Sequence, residues 1–121
     1  MYFAGMTITG NWKIVKAELG SKELPTTSFE HLTLVLDETS YQLIEDRVID
    51  SGLVELVHGM SPAGMRITGV YGPNRGKTFA CIYKFDGQDL ILCYNLGGET
   101  FPSTFSTANQ PLFYLVRYQR Q

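Results

Sequence analysis

Apolar and polar residues alternate along most of this chain, and turn-forming residues interrupt the alternation at short intervals. The clearest stretch is 79–94. Phe79, Cys81, Tyr83 and Phe85 take every second position, Asp86-Gly87-Gln88-Asp89 intervenes, and Leu90, Leu92 and Tyr94 resume the period. Two period-2 runs around a Gly-containing polar turn predict a β-hairpin. Such short strands are not stable as an isolated pair in water, so this hairpin requires a sheet around it.

The rest of the chain supplies that sheet. Trp12 and Ile14 share a face of a first strand at 10–19, and Gly10 lets the chain pass close to the indole. The alternation decays after Val15, which predicts an exposed far end. Residues 20–25 form a turn-rich connection, and Thr27-Ser28-Phe29-Glu30 fits the capping box of one short helical turn. Leu32, Leu34 and Leu36 alternate over 31–37. Tyr41 and Leu43 continue that apolar face beyond a polar turn at 37–40, giving a second hairpin. Ser51-Gly52 reads as a break before a strand at 53–59, and a turn at 60–64 leads to another at 65–71. Gly72-Pro73-Asn74-Arg75-Gly76-Lys77 is a loop by its punctuation. A Gly-, Thr- and Ser-rich stretch then carries the chain from Tyr94 to Pro111. The last strand, 112–119, sets Leu112, Tyr114, Val116 and Tyr118 against Phe113, Leu115 and Arg117.

Eight short sequential strands with no helical period predict an all-β single domain over 1–121. An eight-stranded antiparallel up-and-down barrel, closed by the first and last strands, removes the exposed edges of an open sheet. A two-sheet sandwich with local connections is the alternative. An eight-stranded barrel either fills its interior with side chains or holds one small ligand.

Composition narrows the classes. With 44% hydrophobic and 18% charged residues, the chain has the make-up of an ordinary soluble globular domain. The net charge of −2 and the lack of a basic block argue against nucleic acid as a partner. No apolar run approaches the roughly 20 residues that span a bilayer, so no membrane partner is expected. The opening MYFAGMTITG lacks the charged and apolar regions of a leader, and the expected location is the cytoplasm. If Phe85 and Leu90 face inward, parity puts Cys81 on the core face and Cys93 on the other, where a disulfide cannot form. A register shifted by one residue would reverse this assignment. Free thiols, as in a reducing compartment, are the expectation.

Catalytic chemistry finds little footing. His31 and His58 are the only histidines and have no Cys or carboxylate at metal-ligand spacing, whereas a catalytic zinc takes three protein ligands. No metal or cofactor is therefore expected. There is no G-x-S-x-G, no Ser-His-acid grouping that strand parity would assemble, and no cation beside Cys93. The chain reads as a non-enzyme. The segment from Gly72 to Thr78 superficially resembles a phosphate loop, but it lacks the four-residue spacer and leads into a strand.

The tyrosines carry more information. Tyr71, Tyr83, Tyr94, Tyr114 and Tyr118 lie on strands, several facing inward, and a buried phenol needs a hydrogen-bond partner. This fits either a partly polar interior or a core with phenols near its rims. Arg66, Lys84 and Arg117 are strand cations able to meet an acidic head group if any points inward. Arg117 and Tyr118 are adjacent and must point oppositely, so the same-face Arg-x-Tyr pair of fatty-acid carriers is missing.

Gly10-Asn11-Trp12 on a first strand, opposite a closing last strand, resembles the lipocalin superfamily. In order and spacing, that motif with Gly72 to Thr78, Ile82-Tyr83-Lys84-Phe85-Asp86-Gly87, Leu92-Cys93-Tyr94, Gly97-Gly98-Glu99, Pro102 and Phe105-Ser106 resembles a bacterial, planctomycete-type family of small lipocalin-like domains. The resemblance spans residues 8–120. Phe101 departs from it, standing where the family usually has Arg. The resemblance implies a calycin-like barrel, with ligand binding by superfamily analogy only. The leading reading is thus a barrel that binds a small, mostly apolar molecule, lined by Trp12, Leu34, Leu43, Tyr83, Leu92, Tyr94 and Tyr114. Trp12 would floor the barrel and the tyrosines would orient polar atoms. The competing reading is a filled-barrel module that binds another protein.

Overall fold

A computed structural model describes residues 7–121; the first six residues, on which the reading of a leaderless start largely rests, lie outside the described part. The strands are β1 (Gly10–Leu19), β2 (Lys22–Glu23), β3 (Thr33–Leu36), β4 (Ser40–Glu45), β5 (Arg47–Val57), β6 (Ala63–Tyr71), β7 (Thr78–Asp86), β8 (Asp89–Asn95) and β9 (Phe113–Arg120). They form one antiparallel sheet in the order β2-β1-β3-β4-β5-β6-β7-β8-β9, and β1 also pairs with β9. Leaving aside the two-residue β2, this is a closed, eight-stranded, up-and-down barrel. Among the described residues no helix is long and apolar enough to cross a membrane.

The central hairpin has the expected register. Phe85 pairs with Leu90 and Asp86 with Asp89, leaving Gly87 and Gln88 as a two-residue loop. Gly87 has φ 61°, the positive value that the first residue of a primed hairpin turn needs. Cys81 pairs with Tyr94 and Ile82 with Cys93, so the two sulfurs lie on opposite faces of the hairpin. Both thiols are free and buried.

Three expectations are corrected. First, β1 does not lose its buried face after Val15. A bulge between Ile14 and Lys16 inserts Val15 and flips the parity, so Ala17 is fully buried where an even position would have been. Second, Ser51-Gly52 does not break the chain, because β5 runs through it from Arg47. Gly52 pairs with Tyr41 at a site where a Cβ would fall 2.0 Å from the Thr68 carbonyl oxygen. Third, 26–28 is a short 3-10 turn, but no side chain caps it and Glu30 only donates its backbone N–H to Thr26. At the far end of the chain the last strand starts at Phe113, and Leu112 is exposed.

The barrel has two unlike ends. At one, the β3–β4, β5–β6 and β7–β8 turns gather around Trp12, which is fully buried and donates its indole N–H to the Ile8 carbonyl at 2.8 Å. The other end is where β1 leaves at Leu19. Leu19 pairs with Lys22 across Gly20 and Ser21, both at positive φ, as a two-residue turn of the primed type requires. Phe29, between β2 and β3, is buried in the core cluster and closes part of this end.

Residues 96–111 add a second layer outside the barrel. The Ala80 N–H donates to the Gly98 carbonyl at 3.0 Å, Phe101 lies beneath the Arg66 guanidinium, Phe105 lies beneath the Lys84 ammonium, and the Thr107 hydroxyl bonds Glu18. That cover explains why Ala80, Ile82, Ile91 and Cys93 are buried although they point away from the interior.

Candidate functional site

Inward parity brings the aliphatic residues of β1, β3, β4, β6 and β8 around a cavity of about 360 Å³ at the end away from Trp12. Leu34, Leu43, Met65, Ile67 and Leu92 supply much of the wall, and Leu32 and Leu96 contribute from beyond the strand ends. Polar atoms enter this surface at two places.

The first is Asp50 on β5. Leu43 pairs with Asp50 in the same unbroken register that pairs Tyr41 with Gly52, so the carboxyl points inward on the face of the buried Val54. Asp50 is 7% exposed. Its Oδ1 accepts a hydrogen bond from the Tyr41 hydroxyl at 3.1 Å, and its Oδ2 accepts one from the Asn74 amide at 2.9 Å. Asn74 belongs to the 72–77 loop, which folds down as a lip over this end. Close backbone approach holds the lip: Gly72 has φ 100°, and a Cβ there would meet the Ile49 carbonyl oxygen at 2.4 Å. Lys77, exposed at the far side of the lip, also lines the cavity. Burial, reinforced by the charge of Asp50, pushes the Tyr41 phenol far above its ordinary value and keeps it a donor.

The second is a tyrosine cluster. The hydroxyls of Tyr94 on β8 and Tyr118 on β9 are 2.6 Å apart, and the Tyr94 and Tyr114 rings tilt against each other with centroids 5.6 Å apart. Desolvation raises the pKa of all three, most for Tyr94 and Tyr118. Two phenol protons share one mutual bond, so one O–H of the pair is left to donate elsewhere. Among the described residues no buried side-chain N or O lacks a partner. The carboxyl of Asp50 and the hydroxyls of Tyr41, Tyr94 and Tyr118 are therefore held in place by the protein itself.

Leu34, Leu43, Leu92, Tyr94 and Tyr114, expected from the sequence as lining, all border this cavity. Trp12 and Tyr83 do not. Trp12 lies beyond the cavity in the packed end. Tyr83 faces inward but on that same side, half-buried, where the charge of Glu38 adds to the desolvation that raises its pKa. Parity could have added Tyr41 and Tyr118, which share faces with Leu43 and Tyr114. Asp50 shares parity with the buried Val54 but lies across Ser51-Gly52, which reads as a break, and Asn74 and Lys77 had no such signal because a folded loop places them.

None of the three strand cations points inward. Arg66 pairs with Glu55 at 3.3 Å, Lys84 covers Phe105, and Arg117 bonds Asp86 at 2.5 Å and Asp89 at 2.6 Å on the outer face. Hydrogen bonds to those two carboxylates raise the Arg117 pKa, and Tyr118 beside it faces the core. His31 and His58 are exposed, and among the described residues no three His, Cys, Asp or Glu side chains are grouped as metal ligands would be.

The fold and cavity define a closed antiparallel β-barrel with an interior accessible from one end. Comparison with protein-family models, curated proteins and solved structures finds no match, so the lipocalin-like resemblance has no support from those sources.

Proposed function

We propose that the chain is a lipocalin-like, non-catalytic barrel that takes up a small, mostly apolar molecule with one or two polar groups. The observation that carries this is the cavity itself, about 360 Å³ and walled mainly by aliphatic and aromatic side chains. Ligand sites usually occupy roughly 300–1,000 Å³, are largely apolar, and present a few fixed polar atoms. The Asp50 group and the Tyr94–Tyr118 pair are such atoms. A filled-barrel module that binds only through its surface gives no reason to leave this space or to hold a carboxyl inside it.

Native mass spectrometry of protein purified from its own host tests the reading. A retained small molecule, lost on denaturation and displaced by a polarity-sensitive dye such as N-phenyl-1-naphthylamine, is the expected result. Protein that carries nothing and does not enhance the dye's fluorescence would remove the proposal.

A further inference from the structure

We infer that the molecule this cavity takes carries a protonated amine, held by Asp50 beneath the 72–77 lip, on an apolar or aromatic body. This rests on the ligand-binding reading and names its chemistry. Asp50 is the single acidic residue among those lining the cavity. Its two oxygens have about four acceptor positions, and the two neutral donors, Tyr41 and Asn74, occupy one on each oxygen. Among the described residues no lysine or arginine nitrogen pairs with it within salt-bridge distance.

A carboxylate that is 7% exposed and bonded only to neutral groups is costly to bury, and a cation brought to it converts that cost into a paired, charge-assisted contact. Lys77, the one basic residue of the lining, is exposed and, among the described residues, is not within salt-bridge distance of Asp50, so it does not pair with that carboxylate. An anionic ligand would bring like charge against Asp50, and a neutral donor would gain a hydrogen bond from it but no charge pairing. Tyr41, Tyr94, Tyr114 and Tyr118 also line the cavity, and a tyrosine ring attracts a cation brought over its face.

The test is calorimetric titration of the full chain at neutral pH and low salt with three probes of similar size. These are 3-phenylpropylamine, the neutral 3-phenylpropan-1-ol and the anionic 4-phenylbutanoate. The amine is expected to bind at least about tenfold tighter than the alcohol, with the carboxylate weakest. Asp50→Asn, checked for folding by its melting transition, should bring the amine level with the alcohol. Lys77→Met should tighten the amine by removing a like charge from the mouth. Should Asp50→Asn not fold, the wild-type ranking decides, together with Tyr41→Phe. That variant frees an acceptor position and should keep or widen the preference for amine. Equal binding of amine and alcohol, a preference that survives Asp50→Asn or is lost in Tyr41→Phe, or tightest binding of the carboxylate would each overturn the inference. Dye binding without amine preference would remove this inference alone, whereas failure of the dye and all three probes would remove the ligand-binding reading as well.

Discussion

The Arg120 guanidinium lies over the Trp12 ring, 4.2 Å from its centroid, and donates to the Thr9 and Thr7 carbonyls at 2.7 and 2.9 Å. Gly10 makes the approach possible, since a Cβ there would fall 2.5 Å from the guanidinium. One cation thus ties the last strand to the residues that precede the first, across the seam that closes the barrel.

Trp12→Ala should therefore cost about 3–5 kcal/mol, as expected for emptying a buried indole site. Arg120→Ala should cost less, roughly 0.5–2 kcal/mol, from the lost stacking. Urea denaturation checks both. A midpoint unchanged in Trp12→Ala would show that the packed end does not anchor the fold.

The two inward tyrosines of the central hairpin should behave differently. Tyr94→Phe removes a 2.6 Å bond and strands the Tyr118 hydroxyl, which costs about 1–3 kcal/mol and should alter affinity for any bound molecule. Tyr83→Phe removes a hydroxyl that makes no hydrogen bond among the described residues, so its effect should stay within about 0.5 kcal/mol. Equal effects of the two substitutions on stability and binding would contradict the placement of the cavity.

Stability should fall in alkali. Burial holds the Cys81 and Cys93 thiols and the Tyr94 and Tyr118 phenols above their ordinary values of 9.0 and 10.0. Above those values the unfolded chain releases protons that the folded chain keeps, so stability is full below about pH 9 and declines as pH rises further. Urea midpoints measured at about pH 7.5 and about pH 10.5 should drop, and both thiols should resist aromatic disulfide reagents until the protein unfolds. The acid limb should be faint. The Asp86 carboxyl, bonded by Arg117, and the Asp37 carboxyl, bonded by the Thr39 backbone, are held below 3.8, so their contribution is lost as pH falls past that value, but both are fully exposed.

Phe101 gives a test at the outer layer. Its ring lies 5.1 Å from the Arg66 guanidinium, so Phe101→Arg would set two cations together and lose the ring contact. A loss of about 1 kcal/mol is expected, whereas Phe101→Tyr should be nearly neutral. An arginine at 101 that stabilises the protein would show that Arg66 is free to turn away.

Most of the barrel could be read from period-2 alternation because the strands bury one face each, and a one-residue slip would expose that face. The reading failed where an extra residue breaks the period or a continuous strand reads as a break. Val15 hid the buried Ala17, and taking Ser51-Gly52 as a break hid Asp50, which shares the inward face of β5 with Val54. The apolar half of the cavity was legible for the same reason, since Leu34, Leu43 and Leu92 lie on inward faces. Its polar half depends on the lip, whose backbone folds against β5 and β6 through contacts that no local pattern encodes.

The 96–111 layer makes the barrel wall unequal around its circumference. Over β7 and β8 a second thickness of chain backs the sheet, whereas Leu53 and Val70 on β5 and β6 meet solvent directly at 57% and 53% exposure. Local opening is easiest where backbone hydrogen bonds have the least cover. Amide exchange should therefore be slow on the backed half and faster across β5 and β6. Breathing of the barrel would then be lopsided, hinged on the braced hairpin, with the strand that carries Asp50 on the side that gives.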